Sequence, residues 1–132
     1  MSLETMQPNP AWDAASYEDA VDTLESHTDE LVYRVWGGDW CKDCRKLLPN
    51  LGAALEAAGV SADRIEEIPV DQDKQGPGVE EYGIEYIPTV VVERAPDGLN
   101  GDGEEVTRFV EEEDLPPAVW LANEIDATLS EA

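Results

Sequence analysis

Two periods alternate along the chain: helically spaced apolar residues, and short continuous apolar runs. Ala20, Val21, Leu24 and Thr28 follow helical spacing, with Ser16 as a candidate N-cap and Glu18 and Asp19 beside the positive helix end. Leu31 to Trp36 is an apolar run broken only by Arg34, as in a buried central strand, and Gly37 and Gly38 end it. Leu47, Leu48, Leu51, Ala54, Leu55 and Ala58 then form a stripe, which predicts a helix over 45–58 that kinks at Pro49 and stops at Gly59. The segment 64–70 reads as a strand, 71–78 as a polar loop and 79–82 as a helical turn. Residues 89–93 form a β-branched strand and 106–110 its antiparallel neighbour, with Gly-rich turn signals between them. Asp114 is placed to cap a last helix, with Pro116 and Pro117 in its first turn and Leu121, Ala122, Ile125 and Leu129 on its buried face. His27, near the end of the first helix, suits a capping role there.

This order joins a βαβ unit to a β-hairpin, which predicts an α/β fold with a mixed sheet and helices on both faces. Residues 1–15, with Pro8 and Pro10, show no period and read as an N-terminal extension. Residues 16–132 read as a single domain.

Charge changes the picture more than composition does. The chain carries 31 acidic residues against 8 basic ones, a net charge of -23. The acids are spread over the whole length, so self-repulsion is relieved by salt. This resembles the acidic proteomes of salt-loving microbes. The chain offers no basic surface to neutralise phosphates, so neither nucleic acid nor an acidic membrane is expected as a partner. No apolar run reaches the ~20 residues of a membrane span, and residues 1–10 lack a basic and then apolar leader, which points to the cytoplasm.

The candidate chemistry is Trp40-Cys41-Lys42-Asp43-Cys44, between a predicted strand and a predicted helix. A cysteine at a helix start faces unpaired N–H groups and the positive end of the dipole, and both favour thiolate. Cys44, one turn further on, can close a disulfide with Cys41. Two cysteines cannot complete a four-ligand zinc site, and His27 is distant in sequence. A structural disulfide across so short a loop would constrain the unfolded chain little. Reversible dithiol exchange is the reading this spacing suits, with no cofactor or metal required. Other candidates fall away. Asn100-Gly101-Asp102-Gly103 fails as a calcium loop, since Gly98 and Phe109 stand where the first and twelfth ligands belong. Glu111-Glu112-Glu113 reads as a solvated run.

The motif resembles the active site of the thioredoxin family, and so do Val70-Asp71-Gln72-Asp73 and Ile87-Pro88-Thr89 downstream of it. Pro49 falls where the family has its helix-kinking proline. The resemblance runs from about Tyr17 to Ala127 and implies a thioredoxin-like fold of four strands, or five if Leu3 to Met6 is a remnant first strand. It implies a disulfide reductase acting on disulfide-containing proteins as a monomer, recharged by an unidentified reductase. Cys41 would be the nucleophile and Cys44 the resolving cysteine. Trp40, Ile87 and a cis Pro88 would contact the substrate, and Lys42 and Asp43 would form the motif dipeptide. A disulfide oxidant or isomerase, or a non-catalytic binding module, can share this fold. The chain also departs from the family pattern. Lys42-Asp43 replaces Gly-Pro, Val35 stands at the buried aspartate and Gly37 at a tryptophan. Glu67 stands where a lysine partners that aspartate, and from this strand it is a candidate acceptor for the Cys44 proton.

Overall fold

The computed structural model describes residues 3–73, 75–96, 98–99, 103–110 and 117–130. Four strands, β1 (Leu31–Gly37), β2 (Ile65–Pro69), β3 (Thr89–Arg94) and β4 (Glu104–Val110), lie in the order β2-β1-β3-β4. β1 pairs parallel with β2 and antiparallel with β3, and β4 adds antiparallel at the far edge. The helices are α1 (Glu18–Glu25), α2 (Lys42–Ala57), α3 (Val79–Tyr82) and α4 (Pro117–Ser130). No described helix is long and apolar enough to cross a membrane.

Strand alternation assigns the two faces. Val35, Val90 and Phe109 are register neighbours, and Phe109 meets Trp120 of α4 edge-on at 5.6 Å. α1 and α2 pack with α4 on this face. On the opposite face Trp36 stacks obliquely on Tyr82 of α3 at 4.9 Å, and its indole N–H donates to the Pro77 carbonyl at 2.8 Å. Helices therefore cover both faces, as the patterning predicts.

Several local expectations are corrected. The first helix is entered through a 3-10 turn (Ala14–Tyr17) capped by Asp13, which accepts from the Ala15 N–H, while Ser16 donates its hydroxyl to Asp13. The helical segment begins before Ser16, so the cap assigned above to Ser16 falls to Asp13. His27 does not reach the helix carbonyls with its ring, which lies 3.0 Å from Glu30. α2 begins at Lys42, three residues before the predicted start, with Cys41 as its N-cap, and Pro49 lies inside it. Gly59 follows with φ +78, the left-handed conformation that closes a helix. The Asp114 cap, Pro116, the Glu111–Glu113 run and the Leu129 side chain lie outside what is described.

A fifth strand is absent from the described residues. Leu3 to Met6, the candidate remnant, form a 3-10 turn. Its amides bond to side chains rather than to a strand: Leu3 N–H to Glu67 at 2.8 Å, and Glu4 and Thr5 N–H to Asp39 at 3.3 and 3.1 Å. The turn is no loose extension, because Leu3 and Met6 are buried in the common core. It lies against α2 at Gly52, where a Cβ would run into the Met6 carbonyl oxygen. Only glycine allows so close a backbone approach.

Candidate functional site

The site grows from the end of β1. Gly37 closes that strand, and a Cβ there would meet Cys44 Sγ at 3.3 Å, Leu48 at 3.0 Å and Leu3 at 3.4 Å. Gly38 turns the chain and its carbonyl accepts the Cys41 N–H at 2.9 Å. The Trp40 ring lies over Gly38, where a Cβ would stand 2.5 Å from the indole nitrogen. That nitrogen donates to the Val70 carbonyl at 3.0 Å. Trp40 is thus pinned while remaining 40% exposed.

Cys41 is the N-cap of α2 and is half-buried. Its side chain makes no capping bond, and its carbonyl accepts the Arg45 N–H at 3.1 Å to start the helix. The sulfur therefore stands at the positive helix end with access to solvent. Cys44 is completely buried, and both thiols are free. Burial pushes the Cys44 thiol up to about 12. The hydrogen bond with Cys41 and the charges of Cys41 and Asp43 add to the rise, and the Gly38 N–H, 3.4 Å from Cys44 Sγ, opposes it. One sulfur is presented and the other is held protonated behind it.

The other sequence-predicted residues fall around this pair or beside it. Trp36 pairs with Thr89, the residue after Pro88, and Gly37, next after Trp36, is where a Cβ would meet Cys44. The Ile87–Pro88 bond is cis, and both residues are buried. Tyr86, next along, is 47% exposed. Lys42 and Asp43 are exposed on the first turn of α2. Val35 is fully buried across from Glu67. Glu67 shares the face of Val35 and Gly37, is half-buried, and gives one carboxylate oxygen to the Leu3 N–H. No group of three or more potential metal ligands occurs among the described residues.

Sequence reading missed three contributors. Asp39 holds the N-terminal turn beside the motif, Leu3 packs toward Cys44, and Val70 anchors Trp40. Each acts across a long chain separation, and only the placement of Asp39 next to the motif was visible locally.

Comparison with known proteins agrees with this geometry. The family model for thioredoxin matches residues 11–114. A Fasciola hepatica thioredoxin structure superimposes with a TM-score of 0.50 at 23% identity, covering 87% of this chain and 93% of that one. A Trichomonas vaginalis thioredoxin gives 0.47 at 18% identity, covering 95% and 98%. No curated protein sequence matches the chain. With a family match spanning most of its length and a Cys41–Cys44 pair at the start of α2, the chain belongs to the thioredoxin family of thiol–disulfide oxidoreductases.

Proposed function

We propose that this protein reduces disulfides in protein substrates through Cys41 and Cys44. The observation that carries the reading is the asymmetry of the two sulfurs: Cys41 partly exposed at a helix N-cap, Cys44 buried and protonated one turn behind. The Cys41 thiolate attacks one sulfur of the target disulfide and expels the other as a thiolate, leaving a mixed disulfide. Cys44 gives up its proton and attacks Cys41 Sγ. The Cys41–Cys44 disulfide forms, and the second target sulfur leaves and is protonated. Two electrons have passed to the target, and a separate reductase returns them to the dithiol.

Trp40, Ile87 and Pro88 would seat an extended target segment beside the sulfurs, with Lys42 and Asp43 at its edge. Glu67 is the proposed acceptor for the Cys44 proton. It lies on the same sheet face, and its second oxygen makes no hydrogen bond among the described residues. The protein would act in the cytoplasm as a monomer, at high salt in keeping with its charge.

Trapping tests this directly. Cys41→Ser should abolish both turnover and adduct formation, and Cys44→Ser should accumulate the mixed disulfide with a disulfide peptide. Glu67→Gln, which keeps the acceptor for Leu3, should slow resolution of a preformed Cys41 adduct on the order of a hundredfold and leave the first attack unaltered. Adducts that form through Cys44 in Cys41→Ser would overturn the roles of the cysteines. A wild-type resolution rate in Glu67→Gln would remove Glu67 from the mechanism.

A further inference from the structure

Among the described residues, the lysines and arginines divide into two groups. Arg34 is bound by Glu93 and Glu66, and Arg64 donates to the carbonyls of Leu31, Ala95 and Pro96. Arg94 lies 3.6 Å from Glu30, and Arg108 is held by Glu105 and the Tyr82 carbonyl. Each of these four is committed within the fold. Lys42, Arg45 and Lys46 are exposed, and none has an ion pair or hydrogen-bond partner for its side chain among the described residues.

That isolation is unusual in a chain with 31 acids. At about 100° per residue, positions 42, 45 and 46 fall on one face of α2, opposite Cys44, Leu48 and Leu51, which are buried. The positions one turn further along from Arg45 and Lys46 carry Pro49 and Asn50, not acids. Lys42 and Lys46 stand at a like-charge spacing that weakens an isolated helix. Asp39, the nearest acid before the motif, is occupied by the amides of the N-terminal turn. Asp43, three residues before Lys46, makes no ion pair with it among the described residues, so the cations are unpaired in the described fold, and they begin at the residue next to Cys41.

We propose that Lys42, Arg45 and Lys46 form a docking rim that selects targets carrying Asp or Glu beside the disulfide to be reduced. The inference rests on the dithiol reading and names the substrate class it would favour. At the high salt proposed above, the Debye length falls toward ~3 Å at 1 M, so the overall charge of -23 is screened at a distance and only acids in contact with the rim feel its sign. Such rim charges act mainly on association and on the choice of partner.

The test uses the full chain and two synthetic peptides with the same internal disulfide, one flanked by Asp and Glu, the other by Ser and Asn. Wild-type protein should favour the acidic peptide in kcat/KM on the order of tenfold. The double variant Arg45→Gln/Lys46→Gln should lose that preference, and Arg45→Lys/Lys46→Arg should restore it. The pH profile of Cys41 alkylation should be the same in all three proteins. An unchanged ratio in the Gln variant would overturn the proposal. Equal loss on both peptides with a displaced alkylation profile would also do so, by assigning the cations to the thiol rather than the target. Reduction of neither peptide by wild type would overturn the dithiol reading itself, and the rim with it.

Discussion

Tyr33, Val35, Val90 and Phe109 lie on the sheet face where Phe109 meets Trp120 of α4, α1 and α2 pack with α4, and Cys44 is buried. On the other, Arg34, Glu66 and Glu93 form a bonded cluster that reaches Tyr82 of the four-residue α3 and the Leu99 carbonyl. The first face is poor in polar partners: the Tyr33 hydroxyl is buried without one among the described residues, and burial holds its phenol well above the ordinary range. The second is densely bonded. Arg34 donates to Glu93 and Glu66, each at 2.6 Å, and to the Leu99 carbonyl at 3.0 Å, and Glu93 accepts the Tyr82 hydroxyl at 2.8 Å. The difference separates two tasks. A dry face keeps Cys44 protonated until exchange begins, since an apolar environment disfavours the thiolate. The Arg34, Glu66 and Glu93 cluster lies beyond the sheet, where it ties α3 to the strands, while the Glu67 carboxylate stands on the thiol face.

The largest effect is expected from the charged face. Glu93→Ala leaves Arg34, whose side chain is only 12% exposed, without its most buried partner and strips the Tyr82 hydroxyl of its acceptor. Removing one member of a buried pair costs about 3–5 kcal/mol, so the denaturant midpoint should fall sharply. Exchange by the protein that remains folded should be preserved. A midpoint within error of wild type would erase the contrast between the faces.

A smaller loss is expected on the redox face. Gly52→Ala pushes a methyl group into the Met6 carbonyl and must lift the N-terminal turn from α2, costing about 1–3 kcal/mol. Because Leu3 on that turn packs toward Cys44, this variant should also expose Cys44 to alkylation, which Glu93→Ala should not. Equal Cys44 reactivity in the two variants would show that the turn does not shield the thiol.

Salt sharpens the same contrast. Raising salt from ~0.01 M to ~1 M shortens the Debye length from ~30 Å to ~3 Å, so the wild-type midpoint should rise as the surface acids are screened. The gap between wild type and Glu93→Ala should stay nearly constant, because the pair is shielded from solvent. A midpoint indifferent to salt would contradict the reading of the surface charge.

What could be read from the chain alone was local. The β-branched run from Thr89, the stripe after the motif and the Cys-x-x-Cys between strand and helix each declare themselves within a dozen residues. Partners distant in the chain did not. Arg34 stood out as the one charge in an apolar strand, but nothing local named its partner Glu93, 59 residues away. Leu3 to Met6 looked like a damaged strand because its bonds go to the side chains of Asp39 and Glu67, which no hydrophobic period reveals. The cations Lys42, Arg45 and Lys46 were not singled out in the sequence, because their isolation emerged only once every other described cation was seen to be occupied.

The central claim is the unequal reactivity of the two sulfurs, and alkylation of the reduced native protein followed by peptide mapping tests it most directly. The account predicts modification of Cys41 at neutral pH and negligible modification of Cys44, whose labelling should rise only as the pH approaches about 12. Preferential modification of Cys44 at neutral pH would contradict it.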